Sequence, residues 1–304
     1  MSHSTVTGPP PVRPTRTPRT PYLLVGPALV LVAVFLVYPV GNVIYSAFQQ
    51  QNVLTPWDDG FVGLANFRQI LDDPVFWKSL AFTGKWVVTE VSLQLVFGVA
   101  LALIVNEQFR GRGLARAMVF APWAVAGILT TTIWMLIFNP TTGITRYLAD
   151  MGVVDYGTSL LSSSTGAFWA AVIAEMWKGI PFFAIMILAD LQSVPGELYE
   201  AAHVDGAGRA RRFWSITLPH IKNGLVVATL LRAIWEFNNV DLLLTLTGGG
   251  PAGSTTTLPL YVAQTALKTK EFGYGSALTV VAFAILTVAC VVYMKLTKMG
   301  EDQS

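Results

Sequence analysis

Six apolar stretches punctuate the 304-residue chain, and no other feature restricts its fold as strongly. The first runs from Tyr22 to Phe48. The others occupy roughly residues 80–105, 117–138, 167–188, 224–246 and 275–296. A helix needs about 20 mostly apolar residues to cross the hydrocarbon core of a bilayer, and each stretch reaches that length. Charged residues make up only 12% of the chain against 53% hydrophobic, too few to cover the surface of a soluble domain. The expectation is an all-α membrane protein with six transmembrane helices. The stretch from Tyr22 is too long for the core of a signal peptide and has no convincing cleavage site, so it reads as the first span. Within it, Pro27, Pro39 and Gly41 predict local kinks.

Residues 1–21, rich in Pro and Thr and carrying Arg13, Arg16 and Arg19, read as a disordered cytoplasmic tail. Residues 22–297 read as the membrane domain and 298–304 as a short cytoplasmic end. The N-terminal tail, the 106–116 loop, the 190–222 loop and the C-terminal end together hold twelve Lys and Arg, whereas the other three loops hold five. The positive-inside rule therefore places both termini and the 190–222 loop in the cytoplasm. A net charge of +2, with no basic stripe among aromatics, points to no nucleic-acid partner. The single cysteine, Cys290, excludes an internal disulfide.

The longest polar interval between two spans is Glu197 to Ile221, reading ELYEAAHVDGAGRARRFWSITLPHI. Its pattern predicts two short helices. The first follows a start signal at Ser193 and Pro195 and ends at Gly206, which tolerates a left-handed backbone. The second runs from Gly208 to Thr217, where Pro219 is expected to stop it. Ala201 and Ala202 keep one face small.

Glu200-Ala201-Ala202, with Asp205-Gly206-Ala207 and the ending Ile216-x-Leu218-Pro219, resembles the EAA loop of binding-protein-dependent ABC importer permeases. The resemblance covers nearly everything from about Pro21 to Leu296. It includes Gly63-Leu64-x-Asn66-Phe67, Pro122-Trp123 and Trp177-x-Gly179-x-Pro181-Phe182. The outer segment Leu246-Thr247-Gly248-Gly249-Gly250-Pro251 is similar to the turn of the maltose and oligosaccharide subgroup, which also includes glycerol-3-phosphate permeases. The family implies a type I importer permease fold whose EAA loop forms a cytoplasmic coupling helix seated on an ATPase. It also implies a second related permease, two ATPase subunits that hold ATP and Mg, an extracytoplasmic solute-binding protein, and a place in a bacterial or archaeal plasma membrane. Coupling is then expected from Glu200, Ala201, Ala202, Asp205, Gly206 and Ala207. Arg209, Arg211 and Arg212 suit either acidic groups of the ATPase or lipid headgroups.

Charged side chains inside a membrane are costly and mark functional positions. On the fifth span Arg232, Trp235, Glu236 and Asn239 fall at a spacing that puts all four on one helix face. On the fourth, Glu175, Lys178, Gly179 and Phe182 repeat the arrangement around Pro181. Such faces suit sugar hydroxyls and pyranose rings, and would serve equally as an ion-pair network that ties helices together without a ligand. The resemblance favours the first use. In maltose-type permeases the cavity contacts come from these two places, which assigns the substrate path to Lys178, Gly179, Phe182, Arg232, Trp235, Glu236 and Asn239. Most of these differ in type from the maltose pattern, which points away from maltose itself. The implied cargo is a sugar, with glycerol phosphate as the alternative.

Enzyme motifs are missing from the sequence. Gly248 to Thr255 has the glycine spacing of a phosphate loop, but Ser254 stands where the lysine is required. His3, His203 and His220 have no metal-ligand spacing. The expected role is therefore a non-catalytic subunit that binds no cofactor itself. Two rivals remain at this level: an ion-coupled secondary transporter that uses Glu175 or Glu236, for which an internal repeat is wanting, and a membrane scaffold.

Overall fold

A computed structural model describes residues 20–297, with side chains from Leu24 onward. The expectations for the tail fall almost wholly outside that range, and those for residues 298–304 wholly outside it. Helix α1 (Thr20–Val32) passes through a π turn (Ala33–Val37) into α2 (Tyr38–Ser46). Pro39 has no N–H to donate, and the Tyr38 N–H reaches back to the Ala33 carbonyl, so the irregularity takes the form of a widened turn.

The loop after α2 contains an antiparallel ladder of two residues per strand, β1 (Gln49–Gln50) and β2 (Gly60–Phe61), and then α3 (Ala65–Asp72). The Gly-Leu-x-Asn-Phe segment has a structural task here. Gly63 takes a φ of +58°. Asn66 then donates to the carbonyls of Ala47 and Gln49, each at 2.9 Å, and ties the loop to the end of α2.

Asp73 caps the long helix α4 (Pro74–Asn106) by accepting from the Val75 N–H at 2.8 Å. The hydroxyls of Tyr261 and Tyr274 donate to its other oxygen at 2.6 and 2.7 Å. Partial burial pushes the Asp73 carboxyl up. The two phenols and the helix N–H groups outweigh that and hold it below its ordinary range.

The third apolar stretch is not one helix. It divides into α5 (Arg112–Ala124) and α6 (Gly127–Ile137), bent by 96° at Val125 and Ala126. Pro122 cannot donate to the carbonyl four residues back, and Ala126 turns extended before Gly127 restarts the helix. Outside the next break lie the short α7 (Ile144–Asp150) and then α8 (Ser164–Ser193), the most buried of the long helices.

Helix α9 (Gly196–Val204) follows, so Ser193 ends α8 rather than starting α9, and Pro195 stands at its N-cap. Helix α10 (Arg209–Arg212) runs through a π turn (Phe213–Thr217) directly into α11 (Leu218–Phe237). Pro219 does not stop the second segment. It sits in the first turn of α11, directly after the π turn that the Leu218 N–H closes on the Phe213 carbonyl.

The fifth stretch also breaks, at Asn238–Val240, and α12 (Asp241–Leu246) is a separate helix. The glycine turn beyond it is knit by Thr255, whose hydroxyl donates to the Gly250 carbonyl at 2.7 Å, and by Thr256, which donates to Gly249 at 3.1 Å. Helix α13 (Leu258–Gln264) begins with the Leu258 N–H on the Thr83 hydroxyl of α4 at 2.7 Å. Helix α14 (Phe272–Leu296) closes the described chain.

Four of these helices are long and apolar enough to cross a membrane, or five if the bent pair α5–α6 is one span. Helix α11 falls outside that count because Lys222, Arg232 and Glu236 interrupt it. Lipid offers little hydrophobic drive for one helix to meet another, so close packing through small residues matters most. Gly98 of α4 lies so near Phe183 of α8 that a Cβ there would overlap the phenylalanine Cβ.

Candidate functional site

Glu90 and Gln94 on α4, Glu175 on α8, and Arg232 and Glu236 on α11 converge in the middle of the bundle, and all five are at most 5% exposed. The Gln94 carboxamide is the hub. Its nitrogen donates to Glu90 at 2.8 Å and to Glu236 at 3.0 Å, while its oxygen accepts from Arg232 Nε at 2.6 Å. Arg232 Nη2 reaches Glu175 at 2.7 Å and Glu236 at 2.6 Å. Arg232 and Glu236 therefore pair both with each other and across to neighbouring helices. Buried ions of this kind persist only when partners satisfy them on several sides.

A cavity of about 300 Å³ opens above this cluster. Five of the seven positions expected on a substrate path border it: Lys178, Arg232, Trp235, Glu236 and Asn239. The break between α5 and α6 adds Trp123, Gly127, Thr130 and Thr131, and α12 adds Asp241. Irregular backbone at membrane depth is tolerated where it lines such a polar space. Lys178 has no ion-pair partner among the described residues.

Gly179 and Phe182 are not among the residues that line this cavity. A side chain at Gly179 would overlap Gln94 and Arg232, so this glycine lets α8 approach the cluster. Phe182 is buried behind Trp235, with ring centroids 5.0 Å apart, and sets the indole's position. Asn239 lies beyond the end of α11, not on its face, because the helix stops at Asn238. It still joins the cluster by donating to Glu236 at 3.4 Å. Sequence reasoning passed over Glu90 and Gln94, although their i, i+4 spacing inside an apolar helix is the same signal that marked Arg232 and Glu236.

The second candidate element is α9. None of its residues is buried. The Ala207 N–H donates to the Ala202 carbonyl at 2.8 Å and the Gly206 N–H to His203 at 3.0 Å. With Gly206 at a φ of +74°, these two bonds form a Schellman cap. Glu200, Ala201, Asp205 and Gly206 are exposed around it, with Ala202 and Ala207 half-buried. The Asp-Gly-Ala sequence thus has a local cause: the αL residue must come directly after Asp205 for the helix to end there.

Known proteins resemble this chain along almost its whole length. It is 38% identical over 282 residues to the trehalose/maltose transport system permease protein of Thermococcus litoralis, covering 92% of this chain and 94% of that one. It is 35% identical over 283 residues to the sulfoquinovosyl glycerol transport system permease protein of Agrobacterium fabrum, covering 92% and 90%. Among solved structures, a bacterial ABC transporter that imports the acidic polysaccharide alginate has a chain of the same fold. The TM-score is 0.82 at 19% identity, covering 93% of this chain and 96% of that one. Residues 94–299 match the family described as the inner membrane component of binding-protein-dependent transport systems. The chain belongs to that family of ABC importer permease subunits.

Proposed function

We infer that the chain is the transmembrane permease of an ATP-driven sugar importer and forms half of its translocation path. The observation that carries this reading is the polar cavity, walled by Trp123 and Trp235 and floored by the Arg232 cluster, in a chain whose relatives are named for transport of trehalose, maltose and sulfoquinovosyl glycerol. Aromatic walls with a few convergent polar groups suit a sugar. Arg232 is committed to Glu175, Glu236 and Gln94, and three carboxylates border the cavity against two cations. A neutral glycoside fits that balance better than glycerol phosphate. Membership of the family disfavours an ion-coupled secondary transporter.

In this reading α1–α2, α4, α5–α6, α8, α11–α12 and α14 make six spans, with both termini in the cytoplasm of a bacterial or archaeal cell. A second permease pairs alongside, and a solute-binding protein delivers cargo from outside. Two ATPase subunits, which hold ATP and Mg, take α9 into their clefts. Glu200, Ala201, Ala202, Asp205, Gly206 and Ala207 transmit their closure, and α11, continuous with α10, carries the movement to the cavity. The test is purification from the native membrane followed by ATPase assays. Co-purification of an ATPase and a second permease, with hydrolysis stimulated by a neutral sugar and its binding protein, is expected. A chain that emerges alone and moves sugar on an ion gradient would refute it.

A valine at Gly206 would have to adopt the left-handed backbone, at a cost of about 1–3 kcal/mol. Gly206→Val is therefore expected to reach the membrane at normal levels while sugar uptake per ATP hydrolysed falls several-fold. Wild-type coupling in that variant would remove the cap from the mechanism.

A further inference from the structure

A second cavity, of about 920 Å³, lies far from the Arg232 cluster, between the inner end of α4 and the α9–α10 segment. Its polar wall holds Arg209, Arg212, Tyr199 and Thr217. The Nε of Arg212 is buried and has no hydrogen-bond partner among the described residues. The hydroxyls of Tyr199 and Thr217 meet at 2.9 Å beside it, and Glu107 supplies one carboxylate against the two guanidiniums. Among the described residues that line the cavity, one positive charge remains uncompensated.

The cavity continues into a recess of about 380 Å³ that shares Leu103, Glu107 and Arg209 and adds Ile104 and Phe109. Ile104 is 61% exposed and Phe109 42% exposed. Basic and hydroxyl groups therefore lie on one side, and an open apolar strip continues from them over the last turn of α4 and the loop that follows it. A soluble anion has no use for the strip, and a neutral lipid has none for the guanidiniums. A phosphodiester carried on acyl chains uses both.

We propose that this groove binds an anionic phospholipid of the inner leaflet, with the phosphate on Arg209 and Arg212 and the chains against Leu103, Ile104 and Phe109. The inference rests on the orientation given above, in which α9 faces the cytoplasm. The lipid sits directly beside α9 and braces it against α4, so the groove is a regulatory site for coupling by membrane composition.

The test uses the whole transporter complex in discs of phosphatidylcholine, alone or mixed with phosphatidylglycerol, and counts retained phosphatidylglycerol by native mass spectrometry. The wild type is expected to retain it. At roughly fivefold per arginine, Arg209→Gln with Arg212→Gln should weaken retention about 25-fold. Glu107→Gln, an exposed position that removes the opposing charge, should tighten it. Retention unmoved by either change overturns the proposal. So does binding of soluble glycerol phosphate by a complex that retains no phosphatidylglycerol. Sugar-stimulated hydrolysis in the mixed discs reports on the importer reading separately, so a complex that hydrolyses ATP there yet retains no phosphatidylglycerol sinks the lipid site alone.

Discussion

Arg232→Ala is expected to destabilise the protein by about 3–5 kcal/mol, because it strands buried charge rather than merely removing a contact. Arg232 is the sole cation in direct contact with Glu175 and Glu236 among the described residues, and its Nε also fixes the Gln94 carboxamide. Its loss leaves two buried carboxylates facing each other without a cation between them. Thermal unfolding of the purified complex and sugar uptake should both register the change. The combination with Glu175→Gln and Glu236→Gln, which removes the stranded charge, should recover much of the unfolding midpoint but not the uptake. Equal stability of Arg232→Ala and wild type would mean that the cluster is not held by this ion pair.

The second large effect is expected at Gly98. A methyl group there overlaps the Cβ of Phe183 and comes within 3.2 Å of the Ile180 carbonyl, so neither a rotamer change nor a small shift relieves it. Overpacking of this kind costs about 1–3 kcal/mol, and here it forces α4 away from α8. Gln94 lies one helical turn from Gly98 on α4, so displacement of α4 also disturbs the contacts that Gln94 makes with Glu236 and Arg232 of α11. Gly98→Ala should lower the unfolding midpoint and cut uptake. Gly84→Ala in the same helix meets nothing within 4 Å and serves as the control. If the two variants melt alike, close approach at Gly98 is not what joins these helices.

Much of this was legible in the sequence, for identifiable reasons. Length and apolarity located the long helices, and i, i+4 spacing located Arg232 and Glu236. The Asp-Gly-Ala run located a helix end whose Schellman cap is in place. What escaped was whatever depends on how helices meet. The Gln94 hub is a contact between residues 138 and 142 positions apart. Gly179 and Phe182 share the cavity residues' stretch of α8 but sit behind the wall, and no one-dimensional pattern separates lining from backing. The break in the third stretch has its signal in Pro122 and Gly127. Hydropathy alone runs straight through it.

The widened turn at Phe213–Thr217 has a consequence for the chain's tolerance of change. A π turn is an α-helix that has accommodated one surplus residue. The segments on either side keep the angular phase they would have without that residue. Between Pro219 and Arg232 no such slack exists, and one residue more or less there turns everything downstream by about 100°. The guanidinium of Arg232 would then swing off Gln94 and out of the bundle. The helix that links the exposed α9 segment to the buried charges is thus indexed like a key, with its free notch at the end that meets α10.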